Sequence, residues 1–234
     1  MSLNRISNDR KENNMEKSIF VSPELKNLWP STALGILSYK VEVIPSSPEL
    51  LQEFEDTISR LSEEYTMDTI VKNPHIDATR QAYKALGKSP HEYRNAAEAM
   101  LRRVVKGNGL YHINNVVEIN NLISISSGYS IGSYDLSALV SEVELRRAEE
   151  GTHYDGIGKS SVNIGHLPVL FDAKGPFGNP TSDSRRAMIQ PGKRNVMSVL
   201  YAFDGARGLS IWLEEYAKKL AQFCGVTQVD SFIV

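Results

Sequence analysis

Cysteine is nearly absent from this chain, with Cys224 its sole representative. One thiol closes no internal disulfide and builds no thiolate metal site, so a disulfide scaffold and a cysteine metal centre are both excluded. Its plain role is small apolar packing near the end of a helix. Long apolar runs are missing as well. No stretch of about 18 apolar residues occurs, which leaves no candidate for a membrane-spanning helix. The polar stretch Asn4 to Lys17 lacks the apolar block of a signal peptide, so a cytoplasmic location is expected. Nor is there an excess of charge of one sign. The 26 Lys and Arg against 28 Asp and Glu leave a formal charge of -2, so the molecule as a whole is not built to trap polyanions. Any nucleic-acid contact must be local, and the basic candidates are Arg102-Arg103 with Lys106, Arg146-Arg147, and Arg185-Arg186 with Lys193-Arg194. Each pair, taken singly, also suits a solvated surface.

The strong catalytic and cofactor motifs are missing too. There is no phosphate-binding loop, no GxGxxG, no HExxH and no GxSxG elbow. The histidines His75, His91, His112, His153 and His166 are dispersed, with no pair at the i, i+4 spacing of a helical metal clamp. Neither a metal nor a cofactor is expected.

What is present is an ordinary globular core, 41% hydrophobic over 234 residues. Residues 1-17 are polar and without period and read as a disordered tail, followed by one domain over 18-234. A short apolar run, Ile19 to Val21, stops before Pro23, and Leu34 to Ile44 is a β-branched strand ending in alternation. Leu50, Leu51, Phe54, Ile58 and Leu61 recur at helical spacing. A second helix carries Ile76, Tyr83 and Leu86 and stops at Gly87; a third opens at Ser89-Pro90 and closes at Gly107 and Gly109. Asn114 to Ile125 suits a strand or a short helix, which periodicity does not separate. A turn over Ser133 to Leu139 follows, then strands at Val143 to Arg146, Leu167 to Phe171, Ala187 to Gln190 and Val196 to Phe203, a helix from Leu209 to Phe223 and a last strand from Val226. Helices gathered early and strands late predict an α+β fold, not a doubly wound sheet.

Polar side chains able to recognise an amide, hydroxyl or phosphate crowd together at His112, Asn114, Asn115, Glu118, Asn120 and Asn121. Such groups are costly to bury without hydrogen bonds, yet Asn is also a favoured cap and loop residue. Tyr134-Asp135 and Ser182 to Arg186 are two further clusters. Their plainer reading is local: Asp135 caps the turn that follows it, and Asp183 pairs with an arginine.

The ordered blocks SPHEYRNAAEAMLRRVVKGNGL, INNVVEINNLISI, GYSIGSYDL, ELRRAEEGTHYDGIG, LPVLFD and NPTSDSRRAMI resemble the B3/B4 domain of the phenylalanyl-tRNA synthetase β subunit, and more closely its free-standing relatives. The likeness runs from about His75 to Phe203. It implies a three-layer β/β/α sandwich of the editing-domain type, and in that family the domain hydrolyses tRNA-Phe mischarged with tyrosine. The D-x-T-N element of the family aligns with Glu118 to Asn121, and its P-x-H-A-F-D element with Ser130 to Asp135, where Gly132 replaces the histidine and Asp135 keeps the acid. No acid stands near Val196 to Leu200, where the family selects the tyrosine hydroxyl. The resemblance implies a pocket of Asn115, Glu118, Asn121, Gly132, Asp135 and Ser184, with Arg102, Arg103, Arg185 and Arg186 holding tRNA phosphates. Two functions stay open: a tRNA-binding protein that deacylates mischarged tRNA, and a non-catalytic module for an amino-acid-like ligand. The aminoacylation motifs of a complete synthetase are absent.

Overall fold

The computed structural model describes residues 18-140, 142-158 and 160-234; the expected polar tail, 1-17, lies outside them. The chain begins with β1 (Ile19–Val21), α1 (Pro23–Leu28) and β2 (Ala33–Val43). Four helices follow: α2 (Pro48–Glu64), α3 (Pro74–Ala85), α4 (Ala96–Val105) and α5 (Asn115–Ser127). Then come β3 (Ser130–Asp135), β4 (Val143–Arg147), β5 (His153–Tyr154), β6 (Val162–Asn163), β7 (Pro168–Asp172) and β8 (Gly175–Gly178). The long strand β9 (Gly192–Ala202), α6 (Leu209–Cys224) and β10 (Val229–Ile233) complete the fold. The first five helices start in the same way. The side chains of Ser22, Ser47, Asn73, Asn95 and Asn114 each accept amide hydrogens of the first turn, and in α1, α2 and α3 a proline follows at once.

Two four-stranded sheets carry the architecture, ordered β10-β2-β9-β3 and β1-β4-β7-β8. Side chains alternate across each strand, and in β2 and β9 both faces are apolar. Leu37, Tyr39, Val41, Val196 and Leu200 face α2, α4, α5 and α6, burying Phe54, Leu101, Ile119 and Leu213. The intervening Leu34, Ile36, Met197, Val199 and Tyr201 face the second sheet and meet Ile19, Leu145, Leu170 and Phe177. The result is a β/β/α sandwich with the larger sheet in the middle. A smaller cluster, Val169 and Phe171 with Ile164 and Tyr83, covers the outer side of the second sheet. One polar point interrupts the helical core: the hydroxyl of Ser198 lies 2.9 Å from that of Tyr39, 2.7 Å from Ser133 and 3.1 Å from Tyr216.

Several elements differ from the sequence expectation. The third helix starts at Ala96 and not at Ser89-Pro90, because the side chain of Asn95 accepts the Glu98 amide and caps it there. The ambiguous segment is helix α5, capped by Asn114 and stopped by left-handed Gly128. Ser130–Asp135, expected in part as a turn, is the edge strand β3, paired along its length with β9. The expected strand at 187-190 is a single 3-10 turn, Arg185–Ala187, followed by one isolated bridge from Met188 to Tyr134.

Candidate functional site

The residues expected to line one pocket are not gathered into one. Asn115 is buried at the start of α5, where its Oδ1 accepts the Ile44 amide (3.1 Å) and its Nδ2 donates to the Glu42 carbonyl (3.0 Å). It ties the helix to the end of β2. Glu118, fully buried, accepts the Ile113 amide at 2.5 Å and the Ser46 hydroxyl, while His112 stands 3.8 Å away. The carboxylate thus staples the loop before α5 to the loop after β2. Asn120 bridges to β3, donating to the Ile131 carbonyl at 3.3 Å and accepting from Ser133 at 2.9 Å. Half-buried Asn121 touches it with a 3.4 Å hydrogen bond. Asp135 accepts the Ser137 amide and hydroxyl at 2.9 and 2.6 Å and stands 3.4 Å from Arg194, so its capping role is the local one.

The arginines divide in the same way. Glu98 is completely buried and receives Arg80 and Arg102, each at 2.9 Å, so Arg102 is spent on an internal carboxylate. Arg103 donates to the carbonyls of Gly109 and Asn108 and lies 4.6 Å from the Tyr111 ring centre. Arg186 grips Asp172 with both terminal nitrogens, at 3.2 and 2.9 Å, and also donates to Gly175 and Ala138. Burial pushes the Asp172 carboxyl up, but Arg186 and the amides of Val140 and Lys174 outweigh it and hold the group below the usual range. Arg185 is exposed, and its guanidinium has no partner among the described residues.

Between the sheets lies a polar network that the sequence does not announce. The hydroxyl of buried Tyr134 donates to Asp183 (2.8 Å) and meets that of Tyr201 (2.7 Å). Asp183 therefore pairs with a phenol, not with an arginine. Its carboxyl is pushed up to about 7 by burial, against the pull of the Tyr134 hydroxyl and the Asn179 amide. Burial likewise raises the phenols of Tyr134 and Tyr201 well above their ordinary range. Gly132 and Gly178 make the room for this phenol. A Cβ on either would stand 2.0 or 2.1 Å from the Tyr134 oxygen, so here Gly132 is a spacer. Asn179 extends the network, donating to Tyr154 at 2.5 Å and to the Ser182 carbonyl at 3.1 Å.

On the outer side of this network an open cleft of about 410 Å³ is lined by His153, Tyr154, Asp155, Lys174, Ser184 and Arg185, among others. An isolated bridge between Gly156 and Ser184 and the bond from the Arg185 amide to the Asp155 carbonyl (2.9 Å) fix its two walls. Ser184 caps the 3-10 turn through the Arg186 amide at 3.1 Å. Lys174, Arg185 and Asp155 are exposed, and none of their charged ends has a partner among the described residues. Of the residues expected in a pocket, only Ser184 lies here. Asp155 and Lys174 were not named as site residues in the sequence, and His153 was named only among the dispersed histidines. Among the described residues no group of three His, Cys, Asp or Glu could hold a metal ion.

A family model described as the B3/4 domain matches residues 78-212, more than half of the chain. The chain belongs to the B3/4 domain family. Among solved structures, this B3/4 chain is similar in fold to an N-terminal fragment of the phenylalanyl-tRNA synthetase β subunit from Pyrococcus horikoshii. That likeness has a TM-score of 0.46 at 13% identity, and covers 91% of this chain and 50% of the fragment. No curated protein matches the chain. No helix among the described residues of the B3/4 chain is long and apolar enough to cross a membrane.

Proposed function

We propose that the protein binds a small amino-acid-like molecule in the cleft between β5, β8 and the 3-10 turn at Arg185. One observation carries this reading: Lys174 and Arg185, two cations without a partner among the described residues, share the cleft with the carboxylate of Asp155, which has none among them either. Such a pairing complements a zwitterion, with the guanidinium taking a carboxylate in a forked arrangement and the aspartate taking an ammonium. The cleft volume suits a molecule of amino-acid size.

A second reading makes the ligand the aminoacyl end of a tRNA, which the protein then deacylates. It draws on membership of the B3/4 family and on the sequence resemblance to the synthetase domain. Against it stands the engagement of two of the four arginines, since Arg102 and Arg186 are bonded to the buried carboxylates of Glu98 and Asp172.

The test is calorimetric titration of the purified chain with the twenty free amino acids, run beside hydrolysis of a panel of aminoacyl-tRNAs. Binding of a free amino acid that weakens tenfold or more in both Arg185→Ala and Asp155→Asn supports the module. Hydrolysis of one aminoacyl-tRNA, with no free amino acid bound, favours the second reading. Silence in both assays sinks the cleft as a ligand site.

A further inference from the structure

Among the described residues that line the cleft, Lys174, Arg185 and Arg186 are cations and Asp155 is the one acid. Folding settles the charge of Arg186 alone. Asp172 neutralises it, gripped by both terminal nitrogens at 3.2 and 2.9 Å, and the carbonyls of Gly175 and Ala138 take up the rest of that fork. Its Nε is buried and has no acceptor among the described residues. Neither Lys174 nor Arg185 has a partner among them, so with Asp155 counted against this pair the cleft keeps one positive charge in excess. The uncharged groups do not offset it. Ser184 already accepts the Arg186 amide at 3.1 Å, and the Tyr154 hydroxyl donates to the Ser182 carbonyl and accepts from Asn179 at 2.5 Å. Nδ1 of His153 lies 2.6 Å from the Gly151 carbonyl.

The backbone sorts these charges by position. Asp155 and Arg185 are neighbours, because the Arg185 amide donates to the Asp155 carbonyl at 2.9 Å and the adjoining Ser184 and Gly156 form an isolated bridge. An ammonium and a carboxylate on one carbon atom match two such adjacent residues. Lys174 stands on another wall, in the turn between β7 and β8, where its amide donates to Oδ1 of Asp172 at 2.9 Å. The carboxylate that neutralises Arg186 thus also fixes the turn that carries the lysine. A ligand with an uncharged side chain would displace water from this ammonium without pairing it, which costs free energy. A second carboxylate on the ligand removes that cost.

On the reading that the cleft holds an amino-acid-like molecule, we propose that this molecule is an acidic amino acid, aspartate or glutamate. Arg185 takes its α-carboxylate, Asp155 its ammonium, and Lys174 the carboxylate of its side chain. All three groups are free only in the single amino acid, not in an acidic residue within a peptide.

The full chain is titrated calorimetrically near neutral pH with glutamate, aspartate, their amides glutamine and asparagine, the remaining amino acids, and glutarate, which lacks the ammonium. Variants are Lys174→Met and Arg185→Gln, both at exposed positions where folding is not at stake. One of the acids should bind about tenfold more tightly than its amide, and glutarate about tenfold more weakly than glutamate. Lys174→Met should erase the preference for acid over amide and leave the affinity for the amide unchanged, whereas Arg185→Gln should weaken acid and amide alike. Amides or other amino acids bound as tightly as the acids, or a preference that survives in Lys174→Met, overturn the acidic ligand and leave the amino-acid reading of the cleft standing. Glutarate bound as tightly as glutamate overturns both, as does the failure of every amino acid to bind.

Discussion

Substituting Asp183 by Asn tests the interlayer network through the pH dependence of stability. In the folded chain burial pushes this carboxyl from 3.8 up to about 7, although Tyr134 donates to it at 2.8 Å. A carboxyl held above its unfolded value favours the protonated form in the native state. Its favourable contribution is therefore complete below about pH 4, is lost as the pH rises through the window up to about 7, and changes little beyond. A difference of about three units corresponds to an upper bound of ~4 kcal/mol, since each unit is worth about 1.36 kcal/mol. Asparagine keeps an oxygen to accept from Tyr134 but carries no charge at any pH. Near pH 4 the two proteins should be of similar stability, and near pH 8 the variant should be the more stable by ~1 to 4 kcal/mol. Urea unfolding followed by tryptophan fluorescence, repeated at several pH values, gives the comparison. Parallel stability curves for the two proteins between pH 4 and 8 would refute the assignment of a buried, proton-holding carboxyl.

Glu98→Gln should destabilise the chain by about 3 to 5 kcal/mol in chemical unfolding, because it leaves Arg80 and Arg102 facing a neutral, buried amide. A loss under 1 kcal/mol would show that these pairs are well solvated. Gly132→Ala should lower the melting temperature through a 2.0 Å clash with the Tyr134 oxygen, at a cost of about 1 to 3 kcal/mol or more. In a double-mutant cycle with Tyr134→Ala the two effects should not add, since one side chain occupies the space that the other substitution fills.

The layers were legible because their strands and helices advertise themselves. β2 is a β-branched run of strand length, α2 shows five apolar residues at helical spacing, and the order of helices before strands pointed to α+β. β3 was harder to see. Its SIGSYD sequence is small and polar, and the segment becomes a strand because β9 offers it a partner, which no local pattern reveals. Site reading suffered from the same limit. Asn115, Glu118 and Asn120 are polar residues in an apolar setting, which marks either a pocket or an internal joint; only their partners, backbone groups of β2, the loop before α5 and β3, show the joint. Arg186 looked like a phosphate ligand because its buried acid, Asp172, stands fourteen residues away, whereas Glu98 lies one helical turn before Arg102 and marked that pairing locally. Asp155 and Lys174 stayed inconspicuous as isolated surface charges until folding placed them on one cleft.

The hydroxyl group of Ser198 has a consequence for how the central sheet finds its alignment. A strand that is oily on both sides can slide by one residue beside its neighbour and still bury grease against grease, so hydrophobicity alone does not tell β9 which way to face. Ser198 breaks that equivalence. In the native alignment it sits opposite Ser133, within reach of Tyr39 and Tyr216. Shifted by one position, it would point into the aliphatic contact with the second sheet and leave three hydroxyls of the helical side without their common partner. One small polar side chain thus acts as a key cut into an otherwise symmetrical blade, admitting a single register for the strand on which both cores depend.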